Sequence, residues 1–170
     1  GLGRCGAYTG AAAFGVNPDI LNLAKQITNG AVPMGAVIST PDIYNTFMDN
    51  GGPNHALEFA HGYTYSGHPV ACAAGLAALE LLVEGRWPER VARESSFFES
   101  NLHDTLSEKP YVTDVRNFGF AGALTLEPYE KDPLKRPFEV AMKMWEKGFL
   151  VRYGGDTIQL APHFVMARKQ

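Results

Sequence analysis

Cysteine is almost absent from this chain: Cys5 and Cys72 are the only two in 170 residues. They stand too far apart for a metal clip, and without a secretory context they read as reduced thiols in the cytoplasm. Charge is sparse as well, at 19% of residues. Fifteen basic and 18 acidic side chains give a formal charge of −3, and neither sign forms a long block. Such a surface suits neither nucleic acid nor an anionic membrane. No signal peptide opens the chain. The longest apolar stretch, Pro69–Val83, contains Glu80 and falls short of the roughly 20 residues that cross a bilayer. It reads instead as a buried helix.

Glycine and proline are plentiful, with 18 and 11 residues, and 45% of the chain is hydrophobic. That is a globular composition with room for one substantial core or two small ones. The chain starts at Gly1 without an initiator Met and stops at LAPHFVMARKQ, where a terminal helix is expected to begin. It reads as a portion of a longer polypeptide.

The first six residues, GLGRCG, spell the dinucleotide-binding pattern G-x-G-x-x-G. That pattern works only between a strand and a long helix whose first N–H groups face a pyrophosphate. Gly10, Gly15 and Pro18 leave no room for such a helix, and Asp19 begins an apolar run instead of ending one. An NAD-dependent oxidoreductase is therefore disfavoured, and these glycines require another explanation.

Asn17–Lys25 reads as a buried strand or strand-like turn ending at Lys25. QITNG is a turn punctuated by Gly30, and Met34–Thr40 is a second β-type run. Pro41-Asp42 opens a short helix that stops at Gly51-Gly52. A longer helix follows, with Ser66 and Gly67 at its cap, Pro69 in its first turn and Gly85 closing it. Its alanines and Gly75 allow close packing, as against a large sheet. The next helix begins near Trp87-Pro88 and sets Val91, Phe98, Leu102 and Leu106 at helical spacing. Two strands around Phe118-Gly119, a helix over Pro137–Lys147 and a hairpin about Gly154-Gly155 complete the chain. The mixture lacks a strict βαβ rhythm after about residue 86, which suggests a smaller α+β domain there.

Three residues stand out for chemistry. Lys25 ends an apolar run; an amine held among apolar groups loses solvation and becomes able to condense with a carbonyl carbon. The plain alternative is a strand-end lysine reaching solvent by its stem. Thr64, with Ser66, precedes a helix whose first N–H groups need acceptors, a setting suited to a phosphate ester or simply to capping. Arg152 lies in the strand FLVRY, where its fork could clamp a carboxylate or pair with Asp156. His61 and His68 lack acidic or thiol partners at ligand spacing, so no metal is expected. Glu58, Asp114, Glu127 and the dilute charges of Glu130–Arg136 read as solvated surface.

Together these stretches resemble a family. GLGRCGAYTGAAAFGVNPDILNLAKQITNGAVPMGAV is similar to the cofactor-lysine region of class-III pyridoxal-phosphate-dependent aminotransferases. FAHGYTYSGHPVACAAGLAALE resembles that family's second signature, and KGFLVRYGGDTIQLAP its C-terminal hairpin. The nearest subgroup is the omega-amino acid:pyruvate transaminases, which include β-alanine:pyruvate enzymes. The resemblance places GLGRCG in an active-site loop and makes it no nucleotide fingerprint.

An α/β fold of type I is implied, with residues 1–85 the rear of a large cofactor-binding domain whose sheet is mainly parallel. Residues 86–170 would form most of a small α+β domain. Lys25 would hold pyridoxal 5'-phosphate and move a proton between the substrate carbon and the cofactor. Thr64 would bind the cofactor phosphate, reaching across the interface of a homodimer or higher homo-oligomer. Arg152 would receive the substrate carboxylate, with an ω-amino acid or amine as donor and pyruvate as the 2-oxo acid acceptor. The acid that faces the pyridine nitrogen, a phosphate-binding turn and a stacking aromatic belong upstream of Gly1 in that family. These residues alone are thus expected to be inactive. An aminomutase or decarboxylase of the same family and a non-catalytic interaction module are the alternatives.

Overall fold

The computed structural model describes residues 1–169. They form two compact units. The first comprises Gly1–Leu2 and Thr9–Arg86; the second takes Gly3–Tyr8 and the chain from Trp87 onward.

The first unit opens with one helical turn, α1 (Gly10–Ala13), capped by Thr9, whose hydroxyl accepts from the Ala12 N–H at 3.0 Å. Strand β1 (Ile20–Ala24) pairs antiparallel with β2 (Gly35–Ser39), Ile20 opposite Ser39 and Ala24 opposite Gly35. The sheet expected here was mainly parallel. Lys25 to Met34, which joins the two strands, is shorter than the dozen or so residues that a crossover to a parallel partner needs. Nor is β1 buried as its apolar run suggested. A two-stranded ribbon has too little surface to cover its own faces, and Ile20 remains 52% exposed.

Helix α2 (Pro41–Asn50) starts on Thr40 with Pro41 at its first position and ends before Gly51. Helix α3 (Pro69–Glu84) buries one narrow stripe, Ala71, Gly75 and Leu82. That stripe packs on the turn after β1 and on Met34, not on a broad sheet. Leu76 and Leu81 on the remaining faces are exposed. The cap also differs from expectation. His68 is the N-cap residue and makes no side-chain bond to the helix, while the Ser66 hydroxyl accepts from the Tyr63 N–H at 3.1 Å.

The second unit is a two-layer α+β fold. Helix α4 (Trp87–Leu106) precedes β3 (Val112–Phe118) and β4 (Ala121–Leu126). Helix α5 (Lys135–Glu146) leads to β5 (Arg152–Gly154) and β6 (Thr157–Leu160). The antiparallel sheet has the order β3-β4-β6-β5. Alternation along β4 is clean: Gly122, Leu124 and Leu126 are buried while Ala121, Ala123 and Thr125 are half-exposed. The buried set meets Leu102 of α4, Ala141 of α5 and Ile158 of β6. Both helices therefore cover one face of the sheet and leave the other open.

Gly3–Tyr8 lies against this unit, and here the glycines of GLGRCG find their use. Gly3 and Gly6 have φ of +80° and +81°, a region that costs a side-chain-bearing residue roughly 1–2 kcal/mol. The Phe120 N–H donates to the Arg4 carbonyl at 2.9 Å, fastening the segment to the β3–β4 turn. Arg136, expected to be a solvated charge, is stacked 3.8 Å from the Tyr111 ring centre and 4.2 Å from that of Tyr129. Its Nε also donates to the Glu127 carbonyl at 2.5 Å. A planar cation gains by stacking between two rings, so this charge is held in place while it stays partly exposed.

Gly119 at the β3–β4 turn combines φ +55° with a Cβ position 2.5 Å from the Arg4 oxygen and 2.9 Å from the Cys5 Cα. Gly148 has φ +85° and nothing within 4 Å of its Cβ position. Gly148→Ala is therefore expected to cost roughly 1–2 kcal/mol from backbone conformation alone. Gly119→Ala adds a crowding cost of roughly 1–3 kcal/mol. Thermal unfolding of the two variants checks the difference, with about 2–4 °C expected for each kcal/mol.

Candidate functional site

Lys25 has an unusual backbone. It follows the last residue of β1 with φ +60° and ψ −84°, a conformation that a side-chain-bearing residue keeps only when its surroundings impose it. Those surroundings are the 3-10 turn Gln26–Thr28. The Lys25 carbonyl accepts from the N–H groups of Thr28 and Gly30 at 3.3 and 3.2 Å. Asn29 sits in the left-handed region at φ +51°, and Gln26 Nε2 donates to its Oδ1 at 3.2 Å.

The turn is anchored from below. Ile27 and Thr28 are buried, Thr28 to 2% exposure, and the Thr28 hydroxyl donates to the Val32 carbonyl at 2.5 Å. A Cβ on Gly75 would stand 3.2 Å from Met34 Sδ and 3.7 Å from the Ile27 oxygen. Glycine is therefore what lets α3 approach the turn this closely. Lys25 itself is exposed. The apolar enclosure expected for its amine is absent because β1 is an open ribbon. Among the described residues, its ammonium has no hydrogen-bond partner.

Thr64 is exposed in the turn that leads into α3. With Pro69 at the first helical position and no side chain bonded from His68, the Val70 N–H at the helix start has no side-chain acceptor among the described residues. His61 and His68 are engaged by rings: His61 lies 5.3 Å from Phe59 and 5.5 Å from Tyr63, and His68 lies 6.1 Å from Tyr65. Among the described residues, no three His, Cys, Asp or Glu side chains gather to hold a metal ion. Lys25 and Thr64 thus share the first unit, linked by the packing of α3 on the lysine turn, with no hydrogen bond between them among the described residues.

Arg152 belongs to the second unit, as the first residue of edge strand β5. It stands opposite Gln159, which stands opposite Ala123, which stands opposite Arg116. This row crosses the open face of the sheet. Arg116 is neutralised by Asp114 and donates to Thr125 Oγ1 at 2.8 Å. Asp156, the alternative partner for Arg152, accepts instead from the Thr157 hydroxyl at 2.9 Å. The Arg152 guanidinium makes no ion pair among the described residues. A groove of about 570 Å³ beside Phe97, Phe98, Met144 and Leu150 reaches Val151 and Gln159, the chain neighbour and cross-strand partner of Arg152, but Arg152 itself does not line it.

The class-III aminotransferase family model matches residues 1–170. The chain belongs to the class-III aminotransferases. It is 56% identical over 163 residues to a beta-alanine–pyruvate aminotransferase of Pseudomonas aeruginosa, covering 96% of this chain and 36% of that protein. It is 54% identical over 164 residues to an omega-amino acid–pyruvate aminotransferase of Pseudomonas putida, with the same coverage of 96% and 36%. The chain therefore spans little more than a third of the length of these relatives. Among solved structures it resembles an amine transaminase of an uncultivated Pseudomonas species in its PLP-bound form. The TM-score is 0.88 at 36% identity, covering 99% of this chain and 39% of that one. Those neighbours carry the type-I fold of pyridoxal-phosphate-dependent transaminases into which this class-III chain falls.

Sequence reasoning passed over two residues. Thr28 supports the lysine turn, and its only signal was a hydroxyl inside the turn QITNG. Arg4 is half-buried in the second unit, and its signal was a lone charge among small residues. Thr28→Val keeps the shape and leaves the Val32 carbonyl without its donor, an expected loss of roughly 1–3 kcal/mol. Denaturant unfolding measures that loss, and faster hydrogen exchange at the Gly30 amide localises it to the lysine turn.

Proposed function

We propose that this chain is the catalytic-lysine portion of an enzyme that moves an amino group from an ω-amino acid or amine to pyruvate, giving alanine. The observation that carries the reading is Lys25: a strained backbone fixed by a buried turn, presenting an exposed ammonium that has no partner among the described residues. Strain of this kind is kept where a side chain must be aimed.

The residues present fit pyridoxal 5'-phosphate by their chemistry: an amine for its aldehyde, and a hydroxyl with free helix N–H groups for its phosphate. When bound, that cofactor supplies the electron sink for the pair left on the substrate carbon. Lys25 would hold the cofactor, and its Nζ would take and return the proton at that carbon. Thr64 Oγ1 would accept or donate at the phosphate, where the start of α3 favours negative charge. Arg152 offers two parallel N–H donors to a carboxylate, which suits both pyruvate and an ω-amino acid.

In this reading residues 1–85 belong to the large cofactor-binding domain and 86–170 to the small one. The protein works in the cytoplasm as a homodimer or higher homo-oligomer, with Thr64 serving the neighbouring subunit's site. The free thiols of Cys5 and Cys72 support the compartment. Tyr63 and Tyr65, 79% and 80% exposed beside Thr64, support the assembly. No helix among the described residues is long and apolar enough to cross a membrane.

The test is an assay of the protein expressed from its complete coding sequence, with an ω-amino acid, pyruvate and pyridoxal phosphate. Alanine is expected to appear one for one with donor consumed, and Thr64→Val to weaken cofactor binding about tenfold, the worth of one hydrogen bond to a charged group. Donor consumed without pyruvate would indicate an aminomutase or decarboxylase. A protein that binds no cofactor would be a non-catalytic module.

A further inference from the structure

The open-face arginine of β5 depends on a strand with little to hold it. Strand β5 spans only Arg152–Gly154, at the sheet edge, and pairs with β6 alone. The direction in which Arg152 points is thus set by the register of β6. A slip of one residue would turn Gln159, and Arg152 opposite it, to the helix-covered face.

The β4–β6 ladder runs from Thr125 opposite Thr157 to Gly122 opposite Leu160. Continued by two residues, the same register sets Phe120 opposite Pro162. Proline has no N–H to donate, so the ladder cannot make its next bond there. Arg4 stands in its place. One guanidinium nitrogen, Nη1, donates to the Phe120 carbonyl at 2.9 Å and to the Pro162 carbonyl at 3.0 Å. The same group lies 5.3 Å from the Phe164 ring centre. The backbone of Arg4 is itself fixed, since its carbonyl accepts from the Phe120 N–H and Gly119 leaves the space for it.

We propose that Arg4 is a positioning residue that clamps the open end of the β4–β6 ladder, sets the register of β6 and thereby aims Arg152 at the substrate carboxylate. Burial draws the Arg4 guanidinium below the ordinary arginine value, and it stays charged because that value is so high. Two carbonyl acceptors and an aromatic face compensate the lost water. A lysine keeps the charge but is a strongly hydrated point charge on a flexible stem, without the planar guanidinium for the Phe164 face. The inference rests on the proposed role of Arg152, and its test separates the two.

The experiment uses the protein expressed from its complete coding sequence, with Arg4→Lys, Arg152→Ala and the double variant. Arg4→Lys is expected to raise the exchange rates of the Gly122 and Leu160 amides about tenfold with the unfolding midpoint little changed. It should raise KM for pyruvate about tenfold and leave KM for an arylalkyl amine without a carboxylate unchanged. In the Arg152→Ala background, Arg4→Lys should add nothing further to the pyruvate KM, because the effect passes through Arg152. Unaltered amide exchange overturns the clamp whatever Arg152 does. Equal effects on both substrates, or additive effects in the double variant, overturn the positioning role. If Arg152→Ala leaves the pyruvate KM untouched while exchange quickens, the clamp stands and the substrate role of Arg152 fails.

Discussion

The close approach of α3 to the turn after β1 is the constraint on which the proposed chemistry depends. Gly75 has no side chain to hold the helix away, so Met34 and Ile27 meet its backbone. Ile27 and Thr28 are buried as a result, and the buried turn in turn fixes the backbone of Lys25 at positive φ. A lysine on a free loop would relax to an ordinary conformation and wander. Here the turn bonds to the Lys25 carbonyl twice, so the Cα–Cβ bond of Lys25 leaves the strand end in one direction.

The second unit solves a different problem. Its helices cover one face of a four-stranded antiparallel sheet, and the open face is left with a row of polar groups that includes Arg152. An edge strand of three residues gives little purchase. Neighbouring segments supply it: Tyr153 packs 5.9 Å from Phe138 of α5, and Arg4 fastens the far end of the ladder. Both units thus present one cationic side chain from a backbone that the surrounding packing determines.

Much of this was legible in the chain. Apolar spacing in Trp87–Leu106 reports a face buried by the unit's own partners and marked that helix, and the Phe118-Gly119 turn marked the two strands on either side of it. Pro69 and Gly85 bounded α3 because proline tolerates a helix start and glycine a helix end. Lys25 and Thr64 were singled out by residue type at an element end, and Arg152 as a lone charge in an otherwise apolar strand. What was not legible depends on contacts distant in sequence. Arg4 meets Pro162 across most of the chain, Arg136 finds two rings, and the openness of β1 follows from how few strands lie beside it. The antiparallel pairing of β1 and β2 was hidden for another reason: the apolar runs alone carry no strand direction.

The central claim is that Lys25 carries the chemistry. Borohydride reduction of the protein from its native source with pyridoxal phosphate present, followed by peptide mapping, tests it most directly. The account predicts the reduced cofactor on the peptide that contains Lys25 and no other lysine of this chain. A reduced cofactor on a different lysine, with Lys25 recovered unmodified, would contradict it.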